Sequence, residues 1–186
     1  DTRLLHLQTS RNGRLRFLAG QSVTLFGGAV GRDAQGVYPI ASCPCDDRNL
    51  HFHVGRDAAD TLAERLHTGA IRSGDTLQLW GPTGHFVLAE SERPLAFVAC
   101  DTGFAPIKSL IEHAMAIEAT ESISLDWLAL HADGHYLANQ CRAWADALDE
   151  FSYLPLTTEA LPAVLAANPA LAASDVYLAG AERDVE

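Results

Sequence analysis

The sequence predicts a two-domain fold, an antiparallel β-barrel followed by an α/β open parallel-sheet domain, and two observations carry the expectation. Up to about residue 90 the chain is written in short alternating segments punctuated by glycine, the pattern of a barrel or sandwich. After Glu92-Arg93-Pro94 it changes to strand, helix, strand, helix, strand, and the strands become near-continuous apolar runs of the kind that parallel sheets bury on both faces. The boundary therefore falls between residues 1–92 and residues 93–186.

In the first part, strands are expected at RLLHLQ, SVTLF, GVYPIASC, LHFHV, DTLQLW and HFVLA, with turns at Asn12-Gly13, Gly27-Gly28, Asp46-Asp47 and Ser73-Gly74-Asp75. Residues 57–69 place Ala59, Leu62, Ala63 and Leu66 on one helical face, which would plug the open end of the barrel. In the second part, LAFVAC is followed by a helix whose stripe is Ile107, Leu110, Ile111, Ala114 and Met115, and Pro106 suits its first turn because that N–H would lack a helical partner. ISLDWLAL comes next, then a helix with Leu137, Cys141, Trp144 and Leu148 in register, and FSYLPLT and DVYLAG complete four strands. The chain opens at Asp1 without a methionine and stops just after a strand, so it reads as cut at both ends, with the second domain truncated.

With 13 Lys+Arg against 24 Asp+Glu the net charge is -11, a field that repels nucleic acid and anionic membranes and favours a basic partner surface. No apolar run approaches the roughly 20 residues of a membrane span, and no signal pattern opens the chain, so a cytoplasmic location is expected. Cys43, Cys45, Cys100 and Cys141 are too few and too oddly spaced for a secreted disulfide framework, and they do not form a ferredoxin ligand set. Cys43-x-Cys45 and His51-x-His53 on neighbouring strands would allow a zinc site; the alternative is small apolar cysteines and barrel-lining histidines. Cys100 reads as a buried strand end or, beside a helix N-terminus, as a reactive thiol.

Asp101-Thr102-Gly103 ends the first parallel strand just before a helix. Ligands of open α/β sheets bind at such ends, where unpaired N–H groups and the helix dipole attract a phosphate; an ordinary turn is the other reading. Three segments in order then decide the comparison. FLAGQSVTL, GDTLQLWGPTGHF and FVACDTGFAPIKSLIE resemble motifs of the ferredoxin–NADP reductase superfamily, specifically the flavin and NAD(P)H domains of oxygenase-type reductases.

The resemblance covers nearly the whole chain and implies an FAD-dependent NAD(P)H oxidoreductase. Tyr38 would pack on the isoalloxazine or ribityl chain of FAD, Pro39 and Ile40 would line the flavin edge, and His53 and Val54 would run beside the ribityl and pyrophosphate. Thr102 and Gly103 would cradle the NAD(P)H pyrophosphate, and Gly180 would open the loop receiving the nicotinamide. The implied chemistry is hydride transfer from nicotinamide C4 to flavin N5, then single-electron release to a 2Fe–2S ferredoxin or fused iron–sulfur domain serving an oxygenase. NADH is preferred over NADPH, because HADGH lacks an arginine and Asp133 would repel a 2′-phosphate.

The chain departs from the pattern where it matters. Gly36 replaces the arginine that neutralises the FAD pyrophosphate, Pro39 replaces the hydroxyl facing flavin N5, and Ala59 replaces the hydroxyl that begins the barrel helix. Asp101 replaces a glycine beside the nucleotide, and Ala179-Gly180-Ala181-Glu182 replaces a cysteine-bearing loop. Arg32, Arg48 and Arg56 could supply positive charge, Arg56 being the best placed. The second reading is accordingly a reductase-like module that has lost its cofactors and serves binding or scaffolding.

Overall fold

The computed structural model describes residues 2–10, 13–27, 34–158 and 169–180. Asn12, Gly28, Arg32, Ala181 and Glu182 lie outside the described residues.

The first half is built from two antiparallel sheets. β1 (Thr2–Gln8) pairs with β4 (Asn49–Gly55), and β2 (Ser22–Gly27) lies between β3 (Ala34–Pro39) and β5 (Gln78–Thr83). Alternation does the work expected of a half-buried strand: Val23 and Leu25 of β2 point inward with Leu50, Phe52 and Val54 of β4. Helix α1 (Thr61–Thr68) presents Leu62, Ala63 and Leu66 to this core and ends at Gly69 in the left-handed conformation.

Three boundaries differ from expectation. The helix starts at Thr61 because the Asp60 carboxylate accepts from the Leu62 and Ala63 amides, which leaves Ala59 exposed in the preceding turn. β3 ends at Pro39, after which the backbone changes partner: the Ile40 amide donates to Gln21 O on one side and the Ala41 amide to His51 O on the other. The expected strand HFVLA forms no ladder. Phe86 and Leu88 instead pack against the core of the second half, and the Ala89 amide donates to the Tyr177 hydroxyl.

The second half is a four-stranded parallel sheet in the order β8 (Phe151–Thr157), β7 (Ile123–Ala129), β6 (Leu95–Cys100), β9 (Asp175–Ala179). Helix α2 (Phe104–Ala116) buries Ile107, Leu110, Ile111 and Ala114 against Phe97, Leu125 and Trp127. Helix α3 (Ala138–Ala147) adds Cys141 to the same core, whereas Leu148, expected on its stripe, is 42% exposed where the backbone has become extended. The chain steps outward from β6 to β7 to β8 and returns on the other side of β6 with β9, so the strand order reverses between β6 and β9. That switch point leaves a crevice beyond the carboxyl ends of the two strands. No helix among the described residues is long and apolar enough to cross a membrane.

Candidate functional site

The crevice faces the first half directly. A cavity of about 350 Å³ is lined on one side by Gly20, Ser22, Pro39 and Phe86, and on the other by Pro106 and Leu178, Ala179 and Gly180. A larger hollow of about 590 Å³, bounded by Arg65, Ala70, Ile71 and residues 75–78, lies wholly in the first half, away from the strand ends. The interdomain cavity is the better candidate because it joins the β6/β9 switch point to the turn after β3.

Contacts across the boundary hold this geometry. Ser109 Oγ of α2 donates to Ser42 O at 2.7 Å, and the buried Lys108 ammonium donates to Ala41 O at 3.1 Å and to Glu112 Oε1 at 2.6 Å. Both helix residues therefore grip the segment that follows Pro39. The Tyr136 hydroxyl meets His53 Nδ1 at 2.8 Å, and the His53 ring stacks loosely on Phe104. Of these side chains only His53 stood out in the sequence as a site residue; Lys108, Ser109 and Tyr136 did not, because each reaches across to a partner more than sixty positions away. Ser109 did carry a signal, as the hydroxyl closing the third motif.

The turn after β6 is built for close approach. Asp101 adopts φ 43°, and its carboxylate turns away from the crevice to accept from the Leu130 amide at 3.0 Å. Its backbone carbonyl accepts from Trp127 Nε1 at 3.1 Å. The negative charge that would oppose a nucleotide is thus directed toward the end of β7. Gly103 has ordinary helical dihedrals, yet it must be glycine: a Cβ there would fall on the Ala179 carbonyl and lie 2.7 Å from Gly180 Cα. Thr102 lies against Gly55, where a Cβ would be 3.3 Å from its Cγ2.

Of the expected site residues, Pro39 and Gly180 line the cavity together, Gly103 lies against Gly180, and Thr102 lies against Gly55. Ile40 and Val54 are fully buried in the barrel core. His53 is 5% exposed and is held by Tyr136. Arg56 is exposed just beyond β4, whereas Arg48 stands at the opposite end of that strand, about 26 Å away at the usual rise per residue. Tyr38 is buried and turned toward α1, donating its hydroxyl to Asp60 Oδ2 at 2.6 Å; burial and then this bond push its phenol well above the usual range. Ser22, which sequence reading passed over, is paired with Pro39 in register and lines the same cavity, with a hydroxyl that Pro39 lacks.

Cys43 and Cys45 are bonded to each other, so the Cys-x-Cys and His-x-His pairs do not assemble a metal site. Among the described residues no group of three or more His, Cys, Asp or Glu side chains is arranged to hold a metal ion. Cys100 is buried at its strand end.

His53 supplies a pH prediction. Burial first, then the Lys108 charge, lowers its pKa from 6.5 to about 3, and His51 is shifted the same way. The native ring is neutral while the unfolded ring charges, so stability is fully present above about pH 6.5 and is lost as pH falls toward 3, by up to about 1.4 kcal/mol per unit. Urea midpoints of the wild type and His53→Gln between pH 7 and 4.5 check this: the variant should show the shallower decline, and equal slopes would refute the assignment.

No family model matches the sequence. The chain is 31% identical over 163 residues to reductase component 1 of terephthalate 1,2-dioxygenase from Comamonas sp, a match covering 86% of this chain and 46% of that protein. It is 29% identical over 182 residues to the NAD(P)H-flavin reductase of Vibrio harveyi, covering 88% of this chain and 75% of that protein. Among solved structures, a cytochrome P450 reductase from Amycolatopsis superposes with a TM-score of 0.73 at 25% identity, over 83% of this chain and 46% of that one. A ferredoxin NADP+ reductase from Neisseria gonorrhoeae with bound FAD and NADP superposes with a TM-score of 0.71 at 19% identity, over 94% of this chain and 77% of that one.

The fold is that of ferredoxin–NADP reductase-like proteins, and in sequence the chain is similar to flavin reductases and to reductase components of oxygenases. It spans about half the length of several curated relatives, 46% in the first that match. The three superfamily motifs meet at the cavity: the first supplies Gly20 and Ser22, the second ends in Phe86, and the third carries the turn after β6 and Pro106.

Proposed function

We propose that the protein is a flavin-dependent oxidoreductase module that moves electrons from NAD(P)H through FAD to an iron–sulfur protein or domain. The observation that supports this best is the cavity itself, where the turn following β3 faces the β6/β9 switch point across one shared space. In this reading residues 1–92 are the flavin domain and residues 93–186 the nucleotide domain. The flavin, when bound, supplies hydride acceptance at N5 and single-electron release.

The chain's own residues position the reactants and exclude water. Pro39, Phe86 and Leu178 give the flavin ring apolar walls, and Ser22 is the one residue with a polar side chain among the described residues that line the cavity. Thr102 and Gly103 receive the nucleotide pyrophosphate at the start of α2, and Gly180 leaves room for the nicotinamide. His53, Val54, Ile40 and Tyr38 act from behind this surface, and Arg56 stands at its edge. The lining fits the ring end of the flavin; the superfamily pattern would put the diphosphate near Gly36, where Asp60 and Tyr38 already bond each other.

A terephthalate 1,2-dioxygenase reductase component among the relatives supports an iron–sulfur partner that serves an oxygenase. Asp133, exposed in the loop after β7, favours NADH over NADPH. Dependence on a nicotinamide nucleotide supply is consistent with the cytoplasm. The test is visible spectroscopy of the purified protein with flavin added and then NADH under anaerobic conditions. Flavin bands that shift on binding and bleach with NADH are expected; a protein that takes up no flavin would leave the binding or scaffold role in its place.

A further inference from the structure

We infer that the protein recognises its flavin through the ring and ribityl end alone, and therefore takes riboflavin, FMN and FAD as exchangeable ligands without selecting for the adenylate. The inference rests on the flavin reading above and concerns the same site.

Three observations at the start of α1 carry it. The first is that the amides of Leu62 and Ala63, the donors a helix start would turn to a diphosphate, both donate at 2.9 Å to Asp60 Oδ1. The second is that the Tyr38 hydroxyl donates to the other oxygen, Asp60 Oδ2, at 2.6 Å. A carboxylate belonging to the chain thus occupies the anion position with its hydrogen bonds made. The third is Gly36, which stands where an arginine would neutralise a diphosphate: a Cβ at this position would lie 2.6 Å from Asp60 Oδ2 and would overlap the Tyr38 hydroxyl. The pair can form only because residue 36 has no side chain. A diphosphate approaching the same place would meet a like charge, with the Leu62 and Ala63 amides already taken.

None of these groups reaches the cavity at Pro39, so the ring end is untouched. Asp60 is a specificity device: it closes the helix start to an external anion while leaving the ring pocket open.

Equilibrium titration of the protein with riboflavin, FMN and FAD, followed by flavin fluorescence and by calorimetry, tests the inference without relying on turnover. The three dissociation constants are expected within about threefold of one another. Asp60→Ser keeps a helix cap and removes the charge, and it should tighten FAD by about tenfold while leaving riboflavin unchanged. FAD binding to the wild type about a hundredfold more tightly than riboflavin would overturn the inference and leave the flavin reading intact. So would a selective loss of FAD affinity in Arg56→Ala, which would show that Arg56 anchors the diphosphate. Absence of binding by all three flavins would overturn both.

Discussion

Replacing Trp127 by alanine should cost about 3–5 kcal/mol of folding stability and remove nicotinamide-nucleotide binding with it. Trp127 is fully buried at the centre of the second core, stacked on Phe104 with ring centroids 4.0 Å apart and meeting the edges of Tyr136 and His135. Its indole N–H is also the donor that holds the Asp101 carbonyl, and so holds the turn that Thr102 and Gly103 form. Removing the ring leaves a large void and an unanchored turn, whereas Trp127→Phe keeps the stack and loses one hydrogen bond, about 1 kcal/mol. Urea unfolding of both variants, with NADH titration of the phenylalanine form, separates packing from anchoring. A Trp127→Ala protein within about 1 kcal/mol of wild type would mean that the core collapses around the void and the account is wrong.

Gly103→Ala is the sharper probe of the site. The added methyl must displace either the Ala179–Gly180 backbone or the start of α2, because both neighbours are main chain and neither has a rotamer to yield. Overpacking of this kind costs about 1–3 kcal/mol. The displacement also separates the two strand-end loops that form the crevice. NADH affinity should fall by at least about tenfold and riboflavin affinity by much less, since Pro39, Ser22 and Phe86 are not involved and only Leu178 adjoins the displaced backbone. Equal losses for both ligands would show that the two sites are not separable in this way.

Much of this arrangement was legible beforehand. The stripe Ile107, Leu110, Ile111 and Ala114 is buried as its spacing requires, and the uninterrupted run Leu95–Cys100 is the central strand of a parallel sheet. The turn at Asp101-Thr102-Gly103 lies at the crevice, and Pro39 and Gly180 face each other across the cavity. The misplaced elements share a cause. HFVLA alternates like a strand, but Phe86 and Leu88 bury themselves against the other half instead of against a ladder, and periodicity reports which side chains are apolar, not what covers them. The helix start at Thr61 was missed because the apolar stripe was carried back to Ala59 and Asp60 was not read as a cap.

By itself, then, the sequence determined the two-part order, the strand and helix periods and the location of the turn that opens the crevice, all of which follow from local patterns of burial and backbone freedom. Only the tertiary structure decided how the departures from the superfamily pattern are resolved. Gly36 and Ala59 read as two independent losses along the chain; in the fold, Tyr38 reaches across the space left by the first to bind Asp60, which caps the helix next to the second. Asp101 likewise reads as a misplaced charge until the Leu130 amide, 29 residues away, is seen to hold it. Each depends on a hydrogen bond between groups that local propensity does not couple, and it forms because burial makes an unpaired polar group costly enough to select its partner.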